Sequence, residues 1–302
     1  MSTYTYQHTL QSSQKVNWKV EDLIGGERRL DFSRSFLPES LARTAELDFL
    51  TPAERRTLDQ IRGHAYLAIF GIVEEFILPF VLDHARPQLA GDDWRVRALL
   101  QFAGEEAKHI HLFRRFREEF QRGFGHECAV IGPADAIGSA VLAHDPLGVA
   151  LAILQIEWMT QRHWVDSVRD DGSLDAQFKS LLKHHWMEEA QHAKLDTLMV
   201  EALAEDLDST GRARGLDAYL AIGTFLDGGL AQQVELDLQA FERATGRVLT
   251  TSERERVRAN GIQAARWTYL GSGMTHPEFL ATLGKLGPEL RAKIESVAPA
   301  FC

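Results

Sequence analysis

Two pentapeptides decide the fold of this chain: EEAKH at residues 105–109 and EEAQH at residues 188–192. In each, the second glutamate and the histidine form a Glu-x-x-His motif within a stretch of helical periodicity. Side chains three residues apart share one helix face, so the carboxylate and the imidazole of each motif can approach the same metal ion. One such motif alone is weak evidence, because Glu and His are common on solvated helix surfaces. The motif residues are Glu106, His109, Glu189 and His192.

An acidic residue in the middle of an apolar stretch precedes each motif. Glu157 lies within LAILQIEWMTQ, and Glu74 and Glu75 lie within IFGIVEEFILPF. Glu157 precedes Glu189 by 189 − 157 = 32 residues, and the same separation counted back from Glu106 gives 106 − 32 = 74. The repeat therefore selects Glu74 over Glu75, although the apolar helix itself does not show which of the two faces inward.

The chain thus repeats one unit: an acid in an apolar helix, a turn, then Glu-x-x-His on the next helix. Two such hairpins packed face to face direct four carboxylates and two imidazoles into one space, which is the ligand set of ferritin-like di-iron and di-manganese proteins. The alternative is two surface motifs and two buried acids with local partners, and unpaired buried acids are costly. The sequence therefore predicts an all-α, ferritin-like four-helix bundle with additional N- and C-terminal helices.

The helical periods and breaks divide the chain into three parts of one domain. We expect an N-terminal arm of irregular or short helical structure (1–50), the di-metal four-helix core (51–205) and additional helices that pack on the core (206–302). Thr51, Pro52 and Glu54 form a capping box with proline at the first helical position. Only residues 128–131 alternate like a strand. The predicted helices span about 51–84, 94–120, 146–169, 174–203, 213–244, 252–270 and 276–286.

Composition excludes several classes of protein. The net charge of −10 and a pI near 5.7, without a long basic run, give no support for nucleic-acid binding. The apolar stretch at 65–82 carries two adjacent glutamates at its centre, which would be costly at bilayer depth, so no membrane span is expected. Cys128 and Cys302 form no C-x-x-C pair, and no signal peptide is recognisable. We expect a cytoplasmic protein.

One further histidine breaks the symmetry of the two repeats. His185 lies four residues before Glu189 and seven before His192, on the same helix face, whereas the first repeat has Phe102 at the equivalent position. His185 is therefore either an additional ligand or a helix-surface histidine. Glu105 and Glu188 lie one residue off the motif face. Each is either an outer group that supports a ligand or an acid on the protein surface.

With these residues, the sequence resembles the di-iron N-oxygenase family typified by p-aminobenzoate N-oxygenase. That family combines two carboxylate hairpins with an additional histidine on the fourth helix, matched here by His185-x-x-x-Glu189-x-x-His192. The resemblance covers about residues 50–205. Family members often carry Asp-Glu-x-x-His in the second helix, where this chain has Glu105 before the motif. The metal ligands that it implies are Glu74, Glu106, His109, Glu157, His185, Glu189 and His192.

The resemblance implies an O2-activating enzyme with two iron ions, or manganese at one or both positions. Glu106 and Glu189 would bridge the ions, Glu74 and His109 would complete one, and the remaining three ligands, Glu157, His185 and His192, the other. No catalytic residue beyond these ligands is expected. The reaction implied is N-oxygenation of an aromatic amine, with O2 as co-substrate and an external electron donor.

Three alternatives remain open at this level. The first is a di-iron or Mn/Fe oxidase or monooxygenase that acts at carbon, and the second is a ferritin-like metal-binding or storage protein without an organic substrate. The third is a structural helical protein without bound metal. A homodimer is one arrangement open to a bundle with added helices. Some bulky side chains near the ligands either line an aromatic-substrate pocket or are plain core: Phe70, Phe102, Trp158, Met159 and Trp164.

Overall fold

The computed structural model describes residues 4–302, and it is all-α over that range, as predicted. Those residues form no β-strand beyond two isolated bridges. The α-helices are α1 (Tyr6–Ser13), α2 (Glu39–Ala42), α3 (Pro52–Ala85), α4 (Asp93–Phe124), α5 (Ala134–Leu142), α6 (Pro146–Arg162), α7 (Ala176–Ala204), α8 (Ser209–Thr245), α9 (Thr251–Arg266), α10 (Ser272–Met274), α11 (Pro277–Leu286) and α12 (Pro288–Val297). Segments of π-helix extend α6 (His163–Val168) and α9 (Trp267–Gly271), and 3₁₀ turns lie at Val20–Asp22, Thr44–Glu46, Arg86–Gln88 and Ala298–Phe301.

The four predicted core helices correspond to α3, α4, α6 and α7, with ends within a few residues of the expectation. Three helices were not predicted: α5, the short α10 and α12. The α5 sequence is short and rich in small residues, α10 is a three-residue continuation of the π-helical end of α9, and α12 follows Gly287, just after the expected end of the last helix at about residue 286. The strand-like alternation at 128–131 does not correspond to a strand, because these residues are irregular.

The first core helix begins as its sequence dictates. The Glu54 backbone N–H donates to Oγ1 of Thr51 at 3.3 Å, and the Thr51 N–H donates to Oε2 of Glu54 at 2.7 Å. This reciprocal capping box satisfies two of the donors that an α-helix leaves open at its start. Pro52 occupies the first turn, where its missing N–H costs nothing. The capping prediction is confirmed.

Helix α3 is buried through its middle because other helices surround it. It packs against α4, α5 and α8, and almost every residue from Leu58 to Phe70 is buried. By length and composition the helix Pro52–Gln88 could cross a membrane, but 67% of its most apolar window is buried inside the protein. Glu74 in its centre is also buried against other polar side chains. These are the properties of the core helix of a soluble bundle.

Helix α8 covers one side of the core by packing on α3 and α6. Its contact with α6 is close because two glycines meet there: a Cβ on Gly148 would lie 2.9 Å from the carbonyl oxygen of Gly215. A side chain at either position would push the helices apart. On the opposite side of the bundle, α1 packs on α4 and α7.

Candidate metal centre

The four core helices bring seven side chains into one buried cluster. One comes from α3, two from α4, one from α6 and three from α7, and each side chain is at most 2% exposed. These are the seven residues that the sequence analysis named: Glu74, Glu106, His109, Glu157, His185, Glu189 and His192. The neighbouring Glu75, which the repeat argument set aside, is exposed to solvent.

The two Glu-x-x-His motifs meet at the centre of the cluster. Nδ1 of His192 lies 2.9 Å from Oε1 of Glu106 and 3.1 Å from Oε1 of Glu189. Nδ1 of His109 lies 3.1 Å from the same Glu189 oxygen. One donor atom from each of the four residues lies within 4.8 Å of the others, close enough to hold one ion among them.

A second group forms beside the first from Glu74, His109 and His185. Nε2 of His185 lies 3.0 Å from Oε1 of Glu74 and 3.4 Å from Oε1 of Glu189. This differs from the expected grouping, in which His185 joined Glu157 and His192. Spacing along α7 places His185 on the inward face, but only the crossing with α3 decides which carboxylate it meets.

Unpaired polar atoms show that this cluster suits cations. Eight buried atoms of the cluster make no hydrogen bond of ordinary geometry, although some lie within ion-pair distance of one another: Oε2 of Glu74, both carboxylate oxygens of Glu106 and of Glu157, Oε1 of Glu189, and Nδ1 of His109 and of His192. Buried polar atoms normally make good hydrogen bonds, so eight such atoms in one place require an explanation. Carboxylate oxygens and imidazole nitrogens are the ligands of iron and manganese. The donor set therefore fits two metal ions.

In the metal-free cluster, protons on imidazole and carboxyl groups balance the negative charges of the glutamates. Burial alone would raise the pKa of Glu106 and Glu189, but contacts with neighbouring carboxyl and imidazole groups lower it, for Glu189 to about 2. Burial alone would lower the pKa of His109 and His192, but the glutamates beside them raise both, for His109 to about 9. The motif residues thus form two carboxylate–imidazolium pairs.

The pKa shifts of the other three members favour their neutral forms. Burial, reinforced by the negative charges of Glu106 and Glu189, raises the pKa of Glu74 and Glu157 well above the ordinary range. Burial also lowers the pKa of His185 to about 4. Since a ligand must offer a lone pair, protons held by these groups compete with metal ions.

Each motif histidine is oriented by the glutamate that precedes the other motif. Nε2 of His109, on α4, lies 2.9 Å from Oε2 of Glu188 on α7. Nε2 of His192, on α7, lies 2.9 Å from Oε2 of Glu105 on α4. This crossed arrangement leaves Nδ1 of both rings facing the cluster. Glu105 and Glu188 are buried and are therefore not surface acids.

The outer ends of these glutamates are held by residues that the sequence analysis did not identify. Ser13, at the end of α1, and Gln101 donate to Oε1 of Glu105. Lys108 donates to Oε1 of Glu188. The Lys108 ammonium also lies 3.9 Å above the ring of Trp18. The repeated Glu-Glu pair was the only sequence signal for this outer layer. Ser13 and Trp18 come from the N-terminal arm, and Gln101 and Lys108 lie on α4 at positions that the two motifs do not specify.

We expect Glu105→Gln and Glu188→Gln each to weaken metal binding by about 10- to 100-fold. An amide can still accept a hydrogen bond, but it carries no charge to raise the basicity of the imidazole. The dissociation constant for Mn(II), measured by competition with a chromophoric chelator, tests this. Exposed Glu75→Gln is the matched control and should stay within twofold of the wild type. If both variants behave like this control, the crossed contacts do not support the site.

Beside the cluster lies an apolar cavity of about 440 Å³, a size typical of small-molecule sites. Residues of α3, α6 and α8, the segment 131–137 and Tyr269 form its walls. Of the five bulky residues considered for a pocket, Phe70 and Met159 line it. The three outside the lining are Phe102, Trp158 and Trp164.

One aromatic ring separates the cavity from the cluster. Phe70 lines the cavity, and its ring contacts the His185 ring edge to face, with centroids 5.5 Å apart. The lining residues Val73 and Ile156 directly precede Glu74 and Glu157 in their helices. The cavity lining and the cluster therefore meet at Phe70.

Comparison with known proteins gives only distant structural similarity. No protein-family model and no curated protein matches the chain. Among solved structures, a tyrosine-to-phenylalanine variant of an R2-like ligand-binding oxidase with anaerobically reconstituted Mn/Fe cofactor has 13% identity and a TM-score of 0.45, covering 88% of this chain and 93% of that one. A glycine-to-leucine variant with a non-activated Mn/Mn cofactor has 15% identity and a TM-score of 0.44, covering 88% and 92%. Similarity at this level does not assign the chain to a family.

Proposed function

We propose that this protein is an O2-dependent oxidoreductase that holds two iron ions, or manganese at one or both positions, and oxidises a small organic substrate. The observation that carries the proposal is the cluster of four buried carboxylates and three imidazoles, in which eight oxygen and nitrogen atoms make no hydrogen bond of ordinary geometry. Such a set is costly to keep buried unless it binds cations.

In this proposal the seven cluster residues would hold the metal ions, which when bound in reduced form would supply the redox chemistry toward O2. The protein's own part is to fix the ligands and keep water away. Glu105 and Glu188 hold the histidine rings, and the apolar walls around Phe70 exclude solvent from the cluster. Placing one oxygen atom on a substrate and reducing the other to water takes two electrons from outside, so an external electron donor is required.

The finer proposal is N-oxygenation of an aromatic amine, supported by the matched ligand motif and by a cavity large enough for a benzene ring. Oxidation at carbon uses the same ligands and is distinguished by product analysis. A storage protein without substrate would have no use for the apolar cavity beside its ions. The free thiols of Cys128 and Cys302 suit a reducing compartment, which we propose is the cytoplasm.

Metal content per chain tests the proposal directly. We expect about two iron ions per chain after anaerobic reconstitution with Fe(II), below one in Glu189→Ala, and weakened retention in His185→Ala. Glu189 contacts both motif histidines, whereas His185 contacts Glu74 at one side of the cluster. Exposed Glu75→Ala is the control and should retain two. Wild-type protein without iron or manganese after reconstitution would show that the cluster is structural and the proposed function wrong.

A further inference from the structure

The lining of the 440 Å³ cavity is free of charge. None of the eighteen residues that form it is Asp, Glu, Lys, Arg or His. Three carry a polar side chain of another kind: Thr224, Gln232 and Tyr269. The Thr224 hydroxyl already donates to the Leu220 carbonyl oxygen at 2.9 Å. A bound molecule would therefore meet hydrocarbon over most of its surface.

The cavity opens to solvent along α8 and is buried at its other end. Thr224, Phe225 and Gln232, on one side of α8, are exposed, with Phe225 44% accessible. Phe70 and Met159, at the other end, are each 1% exposed. A molecule entering past α8 would lose its water shell as it approaches the wall formed by Phe70.

The arginine side chains near the cavity already form hydrogen bonds within the protein. Arg266, close to the opening, makes two hydrogen bonds of 2.7 Å to the Asp227 carboxylate. Arg62, on the far side of Tyr269, donates to Asn260 at 2.9 Å and to the Ala42 carbonyl. Across the Phe70 wall, four carboxylates would balance the charge of two divalent ions. None of these groups offers a free positive charge to an organic anion.

We propose that this cavity selects an uncharged, largely apolar molecule and rejects organic anions. Moving an ionised carboxylate from water into such surroundings is unfavourable without a partner, whereas an uncharged amine or alcohol costs far less. That the molecule is also the substrate rests on the proposed function. An arylamine without a carboxylate fits this chemistry, whereas an aminobenzoate, which carries one, does not.

Binding of size-matched probes tests the selectivity. The probes are 4-propylaniline and 4-propylbenzyl alcohol, both uncharged at pH 7.5, and 4-propylbenzoate, which is ionised. We expect both uncharged probes to bind at least about tenfold tighter than the anion, measured by calorimetry without O2 on metal-free and Mn(II)-loaded full-length protein. Equal or tighter binding of the anion in either form overturns the proposal, as does absence of binding by all three.

Variants at the opening show whether the probes occupy this cavity. Gly228 lies on exposed α8 with open space where a side chain would go, so Gly228→Trp should obstruct the opening without disturbing the fold. We expect it to weaken binding of 4-propylaniline at least about tenfold, whereas Gly228→Ala stays within threefold. Gln232→Lys, which adds a cation at the exposed rim, should strengthen benzoate binding several-fold, and Gln232→Met should not. Unchanged binding in Gly228→Trp would place the probes elsewhere and overturn the proposal.

Failure of this proposal and failure of the proposed function give different results. Probe selectivity is measured without turnover and also on metal-free protein, whereas the proposed function depends on metal content. Selective binding by a protein that never retains iron or manganese leaves the cavity selectivity standing and removes the oxidoreductase. Two ions per chain together with preferred binding of the anion would leave the oxidoreductase standing and remove the cavity selectivity.

Discussion

Addition of two equivalents of Fe(II) or Mn(II) to the metal-free protein is expected to raise its Tm by about 8 °C. A ligand that binds only the folded state at about 100 times its Kd stabilises that state by about 2.7 kcal/mol, so two such ions contribute about 5 kcal/mol. In a chain of this size the entropy of unfolding is about 0.6 kcal/mol/K, so each kcal/mol shifts the Tm by about 1.6 °C. Differential scanning calorimetry under anaerobic conditions measures the shift.

The matched comparison is Glu189→Ala, which removes the carboxylate shared by the two motif histidines. We expect its Tm to rise by less than about 3 °C on metal addition, while exposed Glu75→Ala responds like the wild type. A wild-type Tm that does not respond, or an equal rise in Glu189→Ala, would mean that the ions bind elsewhere or bind the unfolded chain equally well.

The helices and the members of the cluster were predictable because their signals are local or repeated. The capping box at Thr51 is formed by residues three apart, and it is present as expected. The 32-residue separation selected Glu74, which is 2% exposed, over Glu75, which is exposed. If the two helical hairpins have the same length and packing, residues at the same position in each lie at the same level of the bundle. The residue separation within one hairpin therefore identified the ligand position in the other.

Features that depend on contacts between distant segments were not predictable. The crossed pairing of Glu105 with His192, and of Glu188 with His109, depends on how α4 meets α7. The neighbours of His185 depend on the crossing of α7 with α3. The cavity requires α8 to lie across α3 and α6. Periodicity along one helix shows which face is inward but not which residue lies opposite.

Metal binding is expected to release protons at pH 7, up to about four per pair of divalent ions. In the metal-free cluster the raised pKa values favour the protonated forms of Glu74, Glu157, His109 and His192. Each of these groups must lose its proton to ligate, whereas Glu106 and Glu189 are already ionised and His185 already neutral. Calorimetric titration in buffers with different enthalpies of ionisation counts the protons.

The sign of the pH dependence follows from the same four groups. As the pH falls, protons compete more strongly for the ligand atoms, so the overall affinity for two ions should drop by up to about four powers of ten per pH unit near neutrality. Above pH 9, the approximate pKa of His109, that histidine is already neutral and the pH dependence of the affinity becomes shallower.

Glu157→Gln removes one of the four groups that release protons and should lower the number of protons released by about one where binding persists. A release near zero in the wild type would mean that the buried acids and histidines are already deprotonated before metal arrives. The cluster would then carry four unbalanced negative charges in a dry interior, a state that burial strongly disfavours, and the proton-balanced description of the metal-free centre would be wrong.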